Sequence, residues 1–241
     1  MSTLFSIITP TYNCIEKIKL TLDSVISQSF VELEYLIIDG LSNDGTGEFI
    51  SKIKDQRVRI LSEPDMGIYD AMNKGVRMAR GKYLLFLGAG DCLCPDVLQE
   101  IEKRTISTNA GLIYGSVYWS DQIYDGEFST DKLTFLNICH QAIFYSRDVF
   151  TLVGYYNLKY TLLADWDMNI RCFGNGQIKI VYVPVIIAVY EVGGISRNPD
   201  LPFQRDKNRL IFRHLGYKVY FRTRIRNLKH RLFLWKYKFC R

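Results

Sequence analysis

No glycine fingerprint follows the first apolar run of this 241-residue chain. Phe5 to Ile8 leads into Thr9-Pro10-Thr11-Tyr12-Asn13. A dinucleotide-binding fold needs closely spaced glycines there, so that the backbone can approach a pyrophosphate. Their absence argues against a nicotinamide-dependent dehydrogenase. No uninterrupted apolar run of about 18 residues occurs, which argues against a membrane-spanning helix. Met1-Ser2-Thr3-Leu4 carries no basic segment ahead of an apolar one, so no secretory leader is expected. The six cysteines, at 14, 92, 94, 139, 172 and 240, show no framework spacing. They read as reduced thiols of a cytosolic protein. Cys92 and Cys94 with Cys139 and His140 would suggest zinc only beside a second pair at finger-like spacing, and there is none.

Charge is present but uneven. Residues 200–241 hold 13 Lys/Arg against two Asp/Glu, whereas residues 1–199 hold 18 against 23. The body is mildly acidic and the basicity belongs to the tail, which disfavours a general nucleic-acid-binding body. Apolar residues make up 48% of the chain, enough for a sizeable core.

The first 117 residues alternate between strand and helix patterns. Strands are expected at Phe5 to Thr9 (ended by Pro10), Glu34 to Asp39, Val58 to Leu61, Lys82 to Leu87 and Ile113 to Val117. Helices are expected on the stripe Ile15, Ile18, Leu22, Val25 and Ile26, from the turn at 42–45 through Ile53, over 68–80, and over 96–106 after Pro95. Such alternation implies a mostly parallel α/β sheet with helices on both faces. Residues 118–195 read as short aromatic-rich strands (Ile143 to Tyr145, Ile178 to Val183, Ile187 to Tyr190) around a helix near 165–173. We treat 1–199 as one domain, with a nucleotide-binding half (1–117) and a catalytic half (118–199), followed by a tail (200–241).

In an open parallel sheet, ligands sit beyond the carboxyl ends of strands. Three of the expected strands end in chemistry. The run Tyr83 to Leu87 stops at Gly88-Ala89-Gly90 and then Asp91. Residues this small let a bulky group reach the backbone, and a carboxylate there can hold a divalent cation and through it a phosphate. The first strand ends at Tyr12, whose ring can stack on a base. The second ends at Asp39, which can accept from a nucleobase N–H or a ribose hydroxyl. Capping accounts for Ser42 or Asn43 but less well for Asp39, which directly follows a buried run. Between them, Asp70, Asn73, Lys74 and Arg77 share one helix face, and a lysine there can neutralise a phosphate.

Taken together, these residues resemble the family 2 glycosyltransferases. The likeness is carried by Ile8 to Asn13, Ile38 to Thr46, Asp65 to Lys74, Phe86 to Asp91, His140-Gln141-Ala142-Ile143-Phe144, Gly154-Tyr155-Tyr156, Ala164-Asp165-Trp166-Asp167 and Gly193-Gly194-Ile195-Ser196. It spans about residues 4–197 with motif order intact. The resemblance implies a GT-A fold, inverting transfer, a nucleotide-sugar donor (usually a UDP-sugar) and a divalent metal, Mn2+ or Mg2+. It implies that Thr9, Pro10, Tyr12, Asn13, Asp39, Asp44, Asp70, Asn73, Lys74, Ala89 and Gly90 line the donor site. Asp91 would hold the metal, and Asp165 would be the base. His140, Gln141, Asp167, Gly194 and Ser196 are candidates for acceptor or phosphate contacts. Two positions depart from the family pattern: Gly90 and Ala164 stand where carboxylates are common.

In the tail, Phe221, Ile225, Leu228, Leu232 and Trp235 form one apolar stripe, with Arg222, Arg224, Arg226, Lys229, Arg231 and Lys236 on other faces. A basic amphipathic helix with Trp and Phe suits an anionic membrane surface. This leads to the expectation of a peripheral enzyme at the cytoplasmic membrane, acting on a lipid-linked oligosaccharide of bacterial surface polysaccharide. The alternatives are a nucleotidyltransferase that makes the activated sugar, or a nucleotide-sugar-binding module that has lost catalysis.

Overall fold

The protein is described by a computed structural model covering residues 3–105, 107–119, 122–124, 126–191 and 199–238, with side chains through 229. Its centre is a nine-stranded sheet. β1 (Phe5–Thr11) lies between β2 (Leu33–Asp39) and β4 (Tyr83–Phe86), and β3 (Val58–Ser62) flanks β2, all parallel. Beyond β4 the sheet becomes mixed. β8 (Ile143–Ser146) runs antiparallel to both β4 and β6 (Leu112–Trp119), and β9 (Ile180–Tyr190) runs parallel to β6. The short β5 (Cys92–Leu93) and β7 (Gln122–Tyr124) complete it. Strand periodicity in sequence carries no direction, so the reversal at β8 was not legible.

Side-chain alternation sorts the strands onto two cores. Ile8, Leu36, Ile38, Leu84 and Phe86 face one cluster. Phe5, Ile7, Tyr35, Ile37, Leu85 and Leu87 face the other. A strand buried on both faces reads as a continuous apolar run for this reason. The second cluster is covered by α1 (Ile15–Ile26), α2 (Thr46–Ser51) and α4 (Val97–Thr105). The first is covered by α3 (Ile68–Met78), α5 (Thr130–Leu133), α6 (Arg147–Val153) and α7 (Ala164–Phe173).

Two boundaries differ from expectation. Pro10 does not end β1, which pairs with β2 through Thr11 opposite Asp39. Leu87 N–H donates to the Ile8 carbonyl, and pairing with β4 stops at Ile8 opposite Phe86. Pro10 faces the same side as Ile8, past that last pair, so its missing donor breaks no ladder bond. Likewise 178–183 and 187–190 are not two strands but one, with a register shift after Tyr114. A Cβ at Gly115 would lie 2.4 Å from the Val185 carbonyl, so only glycine admits the bulge.

The chain beyond 199 is built onto this body. Asp200 accepts the N–H groups of Leu162 (2.9 Å), Leu163 (3.1 Å) and Phe203 (3.0 Å), capping α8 (Leu201–Leu210) and fixing the entry to α7. Phe203, Leu210, Ile211 and Val219 are buried in the first core cluster. A π-helical turn, Ile211–Leu215, leads to α9 (Gly216–Lys238). Arg222 forks onto Asp131 with two bonds of 2.8 Å, and Arg226 donates to Thr134 Oγ1 at 2.6 Å. The opposite stripe of Phe221, Ile225 and Leu228 is exposed. The side chains of Leu232 and Trp235 lie outside the described residues.

Candidate active site

The ends of β1 and β2 form a braced corner. Asp39, 1% exposed, accepts from Ser42 Oγ at 2.5 Å and from Ser62 Oγ at 2.8 Å. Thr9 lies beneath, its hydroxyl accepting from Tyr35 OH at 3.0 Å. Asn13, at φ +48°, donates its N–H to Ser42 Oγ and accepts from Asn43 N–H, both at 2.9 Å. Asp44 accepts from Thr46 Oγ1 (2.6 Å) and from Ile15 N–H (3.1 Å), at the start of α1. The Thr46 hydroxyl holds its carboxyl below the usual range. Above this brace the Tyr12 ring is 64% exposed. A Cβ at Gly40 would lie 3.4 Å from that ring and 2.6 Å from Asp65 Oδ2. The corner therefore offers a flat aromatic face over bare backbone, suited to stacking a base.

The donor-side loop is fastened by α3. Lys74 Nζ donates to the Pro64 carbonyl at 2.5 Å and pairs with Glu63 at 3.0 Å. Asp70 accepts from Met66 N–H at 3.1 Å. Asn73, buried, donates to the Tyr156 carbonyl and accepts from the Tyr156 N–H, each at 3.0 Å. Its amide is thus committed to backbone.

Asp91 follows a tight turn pinned by Thr21, whose hydroxyl accepts from Gly90 N–H at 2.8 Å. The Asp91 carboxylate accepts from Gln141 Nε2 (2.8 Å), Glu191 N–H (2.9 Å) and Gly88 N–H (3.2 Å). Burial pushes its carboxyl up despite these donors. Gly90 sits at φ +104°, and a Cβ there would meet Glu191 Oε2 at 2.2 Å. The missing carboxylate at 90 has a local reason in this positive φ, which side chains rarely adopt; the Glu191 carboxylate, paired with Lys17 at 2.8 Å, lies beside it. Among the described residues no group of three or more His, Cys, Asp or Glu could hold a metal. A magnesium-like ion, however, takes one or two carboxylates and completes its shell with substrate phosphate and water. Asp91 fits that role.

The next residues join this aspartate to the second half. In the 3₁₀ turn His140–Ala142, Gln141 donates to Asp91, while His140 Nδ1 lies 3.7 Å from Asp165 Oδ2. Adjacent residues therefore contact Asp91 and Asp165 and bring the two carboxylates near one another. Asp165 lies in the first turn of α7, where the helix dipole favours an anion. Its Oδ1 accepts from Tyr69 OH (3.0 Å) and Trp166 N–H (2.8 Å), and its Oδ2 from Asn137 Nδ2 (2.9 Å). Burial and the Asp165 charge push the Tyr69 hydroxyl well above its ordinary value, so it remains a phenol and a donor. A carboxyl group positioned by three neutral donors in this way is a candidate general base.

Asp167 points elsewhere. It pairs with Arg171 at 2.9 Å, and Arg171 donates to the carbonyls of Val153, Gly154 and Tyr155. Ala89 is half-buried in the turn before Asp91, and Gly194 and Ser196 lie outside the described residues. Tyr69, Asn137, Ser62 and Glu191 were missed by sequence reasoning. Tyr69 lies one turn before Asn73 on α3 and reads as a core aromatic, and Glu191 meets Asp91 only through the pairing of β5 with β9.

Residues 6–161 match the profile of Glycosyl transferase family 2. The chain belongs to that family. This glycosyltransferase is 42% identical over 202 residues to a PGL/p-HBAD biosynthesis glycosyltransferase of Mycobacterium bovis, covering 80% of the chain and 79% of that protein. It is 33% identical over 193 residues to a hyaluronan synthase of Pasteurella multocida, covering 73% of the chain and 19% of that protein. Its fold is shared with S. aureus TarS 1-349, solved in complex with UDP-GlcNAc (TM-score 0.70, 16% identity, 87% of this chain and 66% of that one). It is also shared with the mannosyltransferase PcManGT of Pyrobaculum calidifontis, solved with GDP-Man and Mn2+ (TM-score 0.64, 17% identity, 92% of this chain and 64% of that one). The chain thus spans just under two thirds of both solved structures. These likenesses establish a GT-A glycosyltransferase.

Proposed function

We propose that this glycosyltransferase moves a sugar, with inversion, from a nucleotide-sugar donor of the UDP type to a hydroxyl of a lipid-linked glycan. The observation that supports the reading is the step from His140 to Gln141, adjacent residues that contact Asp165 and Asp91 respectively. Tyr12 stacks on the base of the donor, over Gly40. Asp91 holds the divalent cation, which when bound offsets the charge of the leaving diphosphate. Asp165 takes the proton of the acceptor hydroxyl as that oxygen attacks the anomeric carbon from the side opposite the diphosphate. Attack from opposite the leaving group inverts the configuration.

Removing a general base typically costs about 10²–10⁴ in rate. Asp165→Asn keeps donor affinity and loses turnover by that factor. Release of nucleoside diphosphate at the parent rate from that variant would falsify the assignment. Donor identity is read from a thermal-shift panel of nucleotide sugars with and without Mn2+, because a ligand bound only by the folded state raises stability.

The acceptor reading rests on α9 and on the relatives. Phe221, Ile225 and Leu228 present an exposed apolar stripe beside basic residues. No helix of the described residues is long and apolar enough to cross a membrane. A stripe of this kind binds at the level of the lipid headgroups, with each nearby Lys or Arg adding about 1 kcal/mol on an anionic leaflet. The proposed enzyme sits peripherally at the cytoplasmic face, where a lipid-linked oligosaccharide presents its sugars. The M. bovis relative, named for biosynthesis of PGL, fits a lipid-borne acceptor. Deleting 201–241 would also remove Phe203, Leu210 and Ile211 from the core. The suitable variant is therefore Phe221→Ser, Ile225→Ser and Leu228→Ser combined, which abolishes flotation with anionic liposomes and leaves Tm unchanged. Unaltered flotation would reject the stripe as the contact.

A further inference from the structure

Tyr69 holds one proton between two acceptors. Its hydroxyl oxygen lies 2.9 Å from the Leu162 carbonyl and 3.0 Å from Asp165 Oδ1. The ring is buried and packs on Tyr156 with centroids 5.3 Å apart, so the phenol is fixed and only its O–H can turn. Leu162 and Asp165 belong to the entry and first turn of α7, which Asp200 locks through the N–H groups of Leu162 and Leu163. Both acceptors are thus held in place. A phenol can donate to only one of them at a time.

We propose that Tyr69 is a positioning residue for the base, a two-position donor that follows the charge on Asp165. This rests on the reading of Asp165 as the base. With Asp165 ionised, Tyr69 donates to Oδ1, since a hydrogen bond to a charged acceptor is the stronger of the two. Together with Trp166 N–H and Asn137 Nδ2 it fixes the carboxylate with Oδ2 on the His140 side. In the reaction the acceptor O–H bond breaks and its proton passes to Oδ2. The acceptor oxygen bonds to the anomeric carbon, and the bond to the diphosphate breaks with its electron pair leaving on the diphosphate. Asp165 is then neutral, and the Tyr69 O–H turns to the Leu162 carbonyl. Neither state leaves that hydrogen unpaired in a buried site, where an unmade bond is costly.

The test is Tyr69→Phe in the full chain, which keeps the ring and its packing. Expected is a fall in kcat of about ten-fold from the lost orientation of the carboxylate, with donor KM and calorimetric UDP affinity unchanged. A kcat within about two-fold of the parent overturns the proposal. So does a parallel loss of UDP affinity, which would mark a purely structural role for the entry of α3. A thermal double-mutant cycle with Asp165→Ala stands independently of turnover. Non-additive Tm losses are expected, and additive losses overturn the contact. Inactive Asp165→Asn beside normal Tyr69→Phe sinks this inference alone. Normal turnover in Asp165→Asn sinks the base itself.

Discussion

Asn73 was expected to touch the donor, yet both atoms of its amide are paired with the backbone of Tyr156 at 3.0 Å. Asn73→Ala tests which role its side chain serves. The substitution removes two buried hydrogen bonds and strands one N–H and one C=O between α3 and the loop ahead of α7. Each bond contributes about 0.5–1.5 kcal/mol, and each buried group left unpaired costs about 1–3 kcal/mol. Water entering the gap recovers part of that, so a loss of about 2–4 kcal/mol is expected. For a chain of this size, about 1 kcal/mol moves Tm by about 2–4 °C. Thermal unfolding followed by circular dichroism is therefore expected to show a Tm lower by about 4–16 °C. Calorimetric titration with UDP at a temperature where the variant is folded is expected to give the parent affinity. The opposite pattern, an unchanged Tm with lost nucleotide binding, would refute the structural role and return Asn73 to the donor site.

Two further substitutions separate neighbouring readings. Gly90→Asp, which restores the family's commoner carboxylate, is expected to lower both Tm and activity, because φ is +104° and the Glu191 carboxylate lies beside it. Tighter Mn2+ binding with full stability, read by titration calorimetry, would contradict that. Asp167→Asn leaves the half-buried Arg171 with its carbonyl acceptors but without its anion and is expected to cost about 1–3 kcal/mol in urea unfolding. Nucleotide affinity is expected to hold at a temperature where the variant is folded, and its loss there would bring Asp167 back into the site.

Much of this site was legible before any geometry. Tyr83 to Leu87 suits a strand buried on both faces, and Asp91 follows its carboxyl end. Asp165 was legible as an acid at a helix start. What stayed hidden has physical causes. The brace of Asp39 on Ser42 and Ser62 depends on β3 lying beside β2, a pairing that no local pattern encodes. Gln141 reaches Asp91 because β8 enters antiparallel beside β4, and direction leaves no trace in a period of two. Pro10 misled because proline is tolerated wherever its missing donor faces no partner, which is a property of the neighbouring strand. The amphipathic tail was read correctly as helical, but its attachment through Phe203 and Val219 appears only once α7 and α8 are packed.

The short turn at 140–142 also sets a ruler. In the proposed mechanism consecutive residues contact the cation ligand and the base, so the span between Asp91 and Asp165 is set by one peptide unit. An insertion beside His140 would pull the two halves of the chemistry out of step.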